Sequence, residues 1–503
     1  MMEQSILEQI KSAVTEDGRL PADFSLPDEG PEEWVKFAPG AMDGILFYHT
    51  AGQESEESEG YPFLIKAIEC SAEGRTDEAA EAVAEFAAQY KVLGYIDLFQ
   101  EYIIDNQNRL PAGNVLNFAI GLMREGTKAE AVKFGMSLLE LINWKQQEEL
   151  KQDVRILALE DEFTLYAAFL MRSWENPNKE LFEILKKVEG WGRVHLVRMI
   201  EADTDEIEEW LVRNGVRNAV LPAYSGLDCF EKVHYLARIR SDNLDLDTYR
   251  GLADILDAML DEGPVAGLSA LDNKEEVMQA FFDAATARTD LEAQDYVVLL
   301  NLKDYIKGAD PDSASPLGAC LTAFLHASKV RNTILSALKQ GEAFEIARRL
   351  GIEYQEYAYE AVLEDFVKNA WIASRLIVDG YKVQEIVDLA YDRLDVEHLA
   401  TGAADEVGLG ETYAAHNALT FILQELGSYI GTGEKLIRPA LRSPVVRNRH
   451  MALSVLEKWL DSSGAQSIQE MSPELGEYLK SLLPDEVRED LRQRIERMFE
   501  KKA

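Results

Sequence analysis

The stretch from Lys435 to Leu460, KLIRPALRSPVVRNRHMALSVLEKWL, constrains the possible folds of this chain more than any other. Leu436, Ile437 and Leu441 give a first helix one apolar side, and Pro439 inside it removes an amide donor and bends it. Ser443-Pro444 makes the turn. Ala452, Val455, Leu456 and Trp459 then recur at i, i+3, i+4 and i+7, the spacing of one buried helical face. Two helices of this size cannot bury that face alone. The unit needs neighbours of its own kind, which is the logic of a helical array.

Looser stripes of the same period run through most of the chain. Thr76 to Tyr90 aligns Ala79, Val83, Phe86, Ala87 and Tyr90, and Asp245 to Leu260 supplies Leu252, Ile255, Leu256 and Met259. Capping boxes are predicted at Asp203/Glu206, Asn273/Glu276 and Thr289/Glu292, and Ser472-Pro473-Glu474 opens a helix with a cap, an N1 proline and an acid. The first 60 residues differ. Five of the 15 prolines fall between Pro21 and Pro62, Ile45-Leu46-Phe47-Tyr48 reads as a short β-prone run, and Gln53 to Glu59 is an acidic loop. Asp310 to Pro316 interrupts the periodicity again. The expected organisation is an irregular N-terminal cap over residues 1–60, a helical-repeat array over 61–309, and its second half over 310–503.

Charge narrows the class of partner. Over 503 residues, 51 Lys and Arg oppose 90 Asp and Glu, a formal net charge of −39, which repels nucleic acid and anionic membranes and favours basic or neutral partners. The imbalance is not uniform. Residues 434–503 hold 13 basic and 12 acidic side chains, whereas the first 433 hold 38 and 78. With 47% hydrophobic residues the chain is too apolar for disorder. Three distant cysteines without a CxxC pair suit a reducing compartment and disfavour a cysteine-built zinc site. No apolar run spans a bilayer, so a cytoplasmic protein with neither a membrane nor a nucleic-acid partner is expected.

The unit at Lys435 to Leu460 resembles a HEAT repeat. Pro439 sits where that family kinks its first helix, Pro444 lies in the turn, and Arg449-His450-Met451-Ala452 followed by Val455-Leu456 matches the second-helix pattern. It departs at Ser443, where the family has an acid, and at Asn448, where it has valine. The resemblance implies an all-α, HEAT-like antiparallel helix-pair solenoid that binds a protein or peptide partner. A second likeness joins Leu26 to Ile45, LPDEGPEEWVKFAPGAMDGI, and WGRVHLVRMI at Trp191 to Ile200, which are similar to stretches of bacterial proteins labelled limonene hydroxylase. Hydroxylation of an unactivated carbon needs haem, flavin or an oxygen-activating metal. The sequence has no GxGxxG after a strand, no haem-thiolate loop and no pair of ExxH motifs, so no cofactor, metal ligand or catalytic residue is predicted.

His195 and His234 read as helix-packing residues, and His398 and His416 as histidines beside surface acids. One cluster stands apart. Arg438 and Arg442 share a face one turn apart, and Arg447, Arg449 and His450 open the next helix, so five cationic candidates surround one turn and suit an anion or an acidic partner. The competing reading gives Arg449 a packing role and leaves the others to neutralise an acidic body. The expected function is a non-enzymatic scaffold for a protein or peptide, with a hydroxylase-labelled enzyme or a small-ligand carrier as rivals.

Overall fold

The computed structural model describes residues 4–27, 37–49, 54–142, 147–309 and 315–500. Among these the chain is all-α: helices and short 3-10 turns, no strand, and one isolated parallel bridge between Glu406 and Val445. No helix among them is long and apolar enough to cross a membrane. The chain divides into two compact units, Met1–Leu291 with Asn301–Ala319, and Glu292–Leu300 with Cys320–Ala503.

In the first unit helices pack on the next helix of the chain or the next but one. Tyr61–Ala72 packs on Thr76–Ala87, Ala112–Glu125 on Ala129–Glu140, Asp161–Met171 on Trp191–Met199, and Ala223–Lys232 on Leu246–Leu260. The last of these shows why the sequence turns helical there. Asp245 accepts the Thr248 amide at 2.9 Å as an N-cap, and Leu252, Ile255, Leu256 and Met259 are all buried. At Asp203/Glu206 the cap is one residue later than the motif suggests, because Thr204 takes the Ile207 amide at 3.3 Å. Thr289/Glu292 shifts by three residues in the second unit, where Glu292 and Asp295 form the reciprocal box. Cys70 and Cys229 are buried, whereas Cys320 is exposed.

The β-prone run is helical. Ile45 to Tyr48 lies inside helix Ala41–His49, because only a helix puts Ala41, Gly44 and Tyr48 on one face against Trp191 and His195 while Asp43 reaches Lys133. A Cβ on Gly44 would collide with the Trp191 ring, so this face is fitted to its neighbour. Of the acidic loop, Gln53 lies outside the described residues and Glu54 to Gly60 is a hydrogen-bonded turn, with the Glu54 amide on Gly94 O at 3.2 Å. Asp310 to Ala314 of the expected boundary, and Asp28 to Lys36 of the Leu26 to Ile45 stretch, also lie outside them.

In the second unit Gln355–Glu364 packs on Ala370–Val378, which packs on Ala414–Leu423, and this in turn on Val446–Ser463. Helix Glu434–Ala440, with Pro439 inside it, completes the pair that the sequence marks out. Ala452, Val455, Leu456 and Trp459 are buried as the stripe requires, and the Trp459 indole donates to Leu426 O at 2.9 Å.

Candidate functional site

The turn between Glu434–Ala440 and Val446–Ser463 is built around one buried cation. Arg449, 1% exposed, donates through Nη1 to the carbonyls of Ser443 at 2.6 Å and Pro444 at 3.2 Å. Its Nε and Nη2 form a bidentate pair with Glu486 at 3.0 and 3.2 Å. Arg449 therefore fixes the turn from inside and is closed to any partner.

The other four candidates separate. Arg438 is tied to Glu434 one turn earlier and lies over the Tyr478 ring at 5.1 Å. Arg447 donates to Asn417 Oδ1 and is exposed. Arg442 is exposed, and its guanidinium makes no hydrogen bond or ion pair among the described residues. His450 is half-buried between Arg494, which donates to its Nδ1 at 2.9 Å, and Asp490, 3.3 Å from its Nε2. Burial and the Arg494 charge lower its pKa, so it is a neutral acceptor at neutral pH. The corner presents two exposed guanidiniums, Arg442 and Arg447, on a frame held by Arg449.

The two departures from the HEAT pattern meet in one buried network. Ser443 and Asn448, each 0% exposed, both face His416 Nδ1 at 3.1 Å. An amide nitrogen can only donate, so Nδ1 is the acceptor and the imidazole proton sits on Nε2. Burial lowers the His416 pKa, which keeps it in that neutral form. Thr420 closes the set by donating to Asn448 Oδ1 at 2.5 Å. Where the family pattern has an acid and a valine, this chain bonds neighbouring helices through neutral polar groups.

Sequence reasoning missed what lies across the turn. Residues 402–406 run alongside 442–446 in the same direction. Gly402 donates its amide to Arg442 O at 2.9 Å, Glu406 donates to Pro444 O at 3.3 Å, and the Val446 amide donates to Glu406 O at 3.0 Å. Val446 is the first residue of its helix, so this last bond satisfies an amide that the helix itself leaves unpaired. Arg488 pairs with Asp405 at 3.0 Å. Gly408, at φ +77°, sits so close to Val445 that a Cβ would lie 2.6 Å from its Cγ1. The signal available was compositional: glycines at 402, 408 and 410 around Asp405-Glu406, too short a helix-free stretch to have been read as a bound strand.

The first unit holds a second cluster that periodicity did not reveal. Lys133, 0% exposed, is 2.7 Å from Asp43, 3.1 Å from Glu130 and 2.5 Å from Glu162. Tyr166 donates to Asp43 at 3.1 Å, the Gly40 amide to Glu162 at 2.6 Å and the Val92 amide to Glu130 at 2.8 Å. Burial, reinforced by the charge of Glu162, raises the Glu160 pKa to about 8, so Glu160 is protonated at neutral pH. The signal was that Glu130 to Leu139 is buried on every side, which leaves Lys133 no polar face to occupy. Beside this cluster His195 stacks on Tyr48 at 5.8 Å, and burial and Arg198 lower its pKa to about 3. His195 is a packing residue, and His234 lies on the surface against Glu208 at 3.0 Å. Among the described residues no three His, Cys, Asp or Glu side chains converge as a metal site requires.

The chain matches no protein-family model, no curated protein and no solved structure. The likenesses to HEAT repeats and to hydroxylase-labelled proteins therefore stand on the residues quoted for them alone.

Proposed function

We propose that this protein is a non-enzymatic scaffold whose helix pairs repeat in HEAT-like fashion and whose basic corner in the second unit holds an acidic protein or peptide. The observation that carries the reading is the division of labour among the corner arginines. Arg449 is spent on the turn, while Arg442 and Arg447 stand exposed beside a backbone edge that already accepts an extended segment. The chain's net charge of −39 repels an acidic partner as a whole, so such a partner can approach only where that charge is locally offset, as it is over residues 434–503 with 13 basic and 12 acidic side chains. Exposed Val407, Leu409 and Val487 border the same edge and offer apolar contact at the rim.

The test is a pull-down with the full chain from the native cytoplasm, followed by affinity measurements on the partner it yields. The Arg442→Ala, Arg447→Ala double variant is expected to bind at least fivefold more weakly, and wild-type affinity to fall as salt rises from 50 to 300 mM. Full, salt-independent affinity in the double variant removes the corner from the binding account.

A further inference from the structure

We propose that residues 401–410 are a built-in occupant of the corner, bound as a partner peptide would be, and that the true ligand is an extended acidic peptide that takes their place. The inference rests on the scaffold reading above. Its basis is that the segment is seated by the interactions of strand addition: backbone bonds for hold, side-chain contacts for selection.

The register shows what is selected. Gly402 pairs at Arg442, and Glu406 pairs with Pro444 and Val446. Three strap residues, Ala403, Ala404 and Asp405, therefore pass the single corner residue Ser443. The segment arches there, and the arch delivers Asp405 to Arg488. Glu406 hydrogen-bonds the Tyr413 hydroxyl and bears electrostatically on His416. Two residues on, Gly408 is buried against Val445 where no side chain fits. A matching peptide carries a small residue, an arch of three whose last member is an acid, a second acid directly after it, and a glycine two residues beyond the second acid.

The hold is light. It consists of three backbone bonds, one glycine contact, the Glu406 to Tyr413 bond, and an ion pair whose side chains are 38% and 66% exposed, so solvent screens it. Val407 and Leu409 are each 72% exposed and pack on nothing that buries them. A competitor with larger apolar groups at those two positions gains contacts the strap does not make. It must also outcompete a tethered segment, whose effective concentration is about millimolar for a short linker. The free corner is thus closed to weak acidic peptides and open to a better-fitted one.

The experiment uses the full chain with residues 402–409 replaced by Gly and Ser in equal number, and a dye-labelled synthetic peptide TGAADEVGLG read by fluorescence anisotropy. The replaced chain is expected to bind the peptide saturably and at least tenfold tighter than wild type. Arg488→Ala on that background should weaken binding at least threefold, and a peptide with both acids changed to Arg should not bind. Amide exchange gives an independent readout: Val446 N–H is protected in wild type, exchanges in the replaced chain, and is protected again by peptide. Equal binding to both chains, or no binding by a replaced chain of wild-type helix content, overturns the proposal. If the replaced chain does not fold, Gly408→Val serves, since it dislodges the strap by collision with Val445. A Gly408→Val chain whose Val446 amide stays protected also overturns it. A partner whose salt-sensitive binding depends on Arg442 and Arg447 but is unchanged by strap replacement sinks this inference and leaves the scaffold standing.

Discussion

Each unit buries a cation, and the two burials are solved differently. In the second unit Arg449 meets one carboxylate, Glu486, and two turn carbonyls, and Glu486 also accepts the Arg488 amide at 3.0 Å. Donors and acceptors are matched by geometry. In the first unit Lys133 meets three carboxylates at once, with Glu160 bonded to the Glu162 amide beside them and the half-exposed Lys91 as a second cation, 3.0 Å from Glu130. Acids outnumber bases there, so the balance is completed by a proton on Glu160. A planar guanidinium fixes a turn by direction, whereas a compact ammonium gathers elements by charge, here three helices and the loop carrying Val92. The lesson is that equally buried cations are held in one site by matched geometry and in the other by a surplus of acid that a proton on Glu160 offsets.

The largest expected effect tests the lysine. Lys133→Ala leaves the buried Asp43 and Glu130 and the part-buried Glu162 without their cation, and breaking such a pair costs about 3 to 5 kcal/mol. Chemical denaturation should show that loss, and amide exchange should show helix Ala41–His49 released first, because Asp43 is its charged anchor. If exchange in that helix is unchanged, the cluster does not dock it.

Arg449→Ala comes next, at about 3 kcal/mol, since it strands Glu486 and frees two carbonyls of a turn. A double-mutant cycle with Glu486→Gln sharpens the comparison. The one-to-one pair should show strong coupling, whereas Lys133 paired in turn with each of its acids should show its coupling divided among them.

The pH contrast is the third test. Glu160 has a folded pKa of about 8 against an ordinary glutamate value of 4.5, so between these values the folded state holds a proton that the unfolded state has released. Its stabilisation is complete below pH 4.5 and is lost as pH rises through 8. The first unit should therefore melt several degrees lower at pH 9 than at pH 6. Glu160→Gln keeps an oxygen for the Glu162 amide, 2.7 Å away, and should flatten that slope. A slope unchanged in the variant would assign the proton elsewhere. The smallest effect belongs to the rim, where Arg442→Ala should alter stability by no more than about 0.5 kcal/mol in a thermal melt.

These differences mark how far the chain could be read from its residues. Helical content followed from the period of the apolar positions, and the Ser472 cap was legible because a cap acts within its own turn, whereas the boxes read at Asp203 and Thr289 lie at Thr204 and Glu292 and Asn273 makes no side-chain cap bond. Arg449 could be placed at the turn from Pro439, Pro444 and its position after them. Partners set by tertiary structure were not legible. Arg494 pairs with Glu457, 37 residues earlier, and not with Asp490 one turn before it. Ile45 to Tyr48 has the local preference of a strand and is overruled by Trp191 and Lys133, more than 80 residues away. The strap was invisible for the same reason, since Gly402 and Glu406 form their backbone bonds only when Arg442 to Val446 lie beside them.

The cysteines carry a practical consequence. Of the three thiols, Cys70 and Cys229 are enclosed, and burial pushes the Cys229 thiol far above its ordinary pKa, which withholds the reactive thiolate. Cys320 alone meets solvent, on helix Pro316–Leu325. An alkylating dye applied to the native chain under mild conditions therefore lands on one sulfur, giving a singly labelled molecule whose emission can be followed without altering any residue.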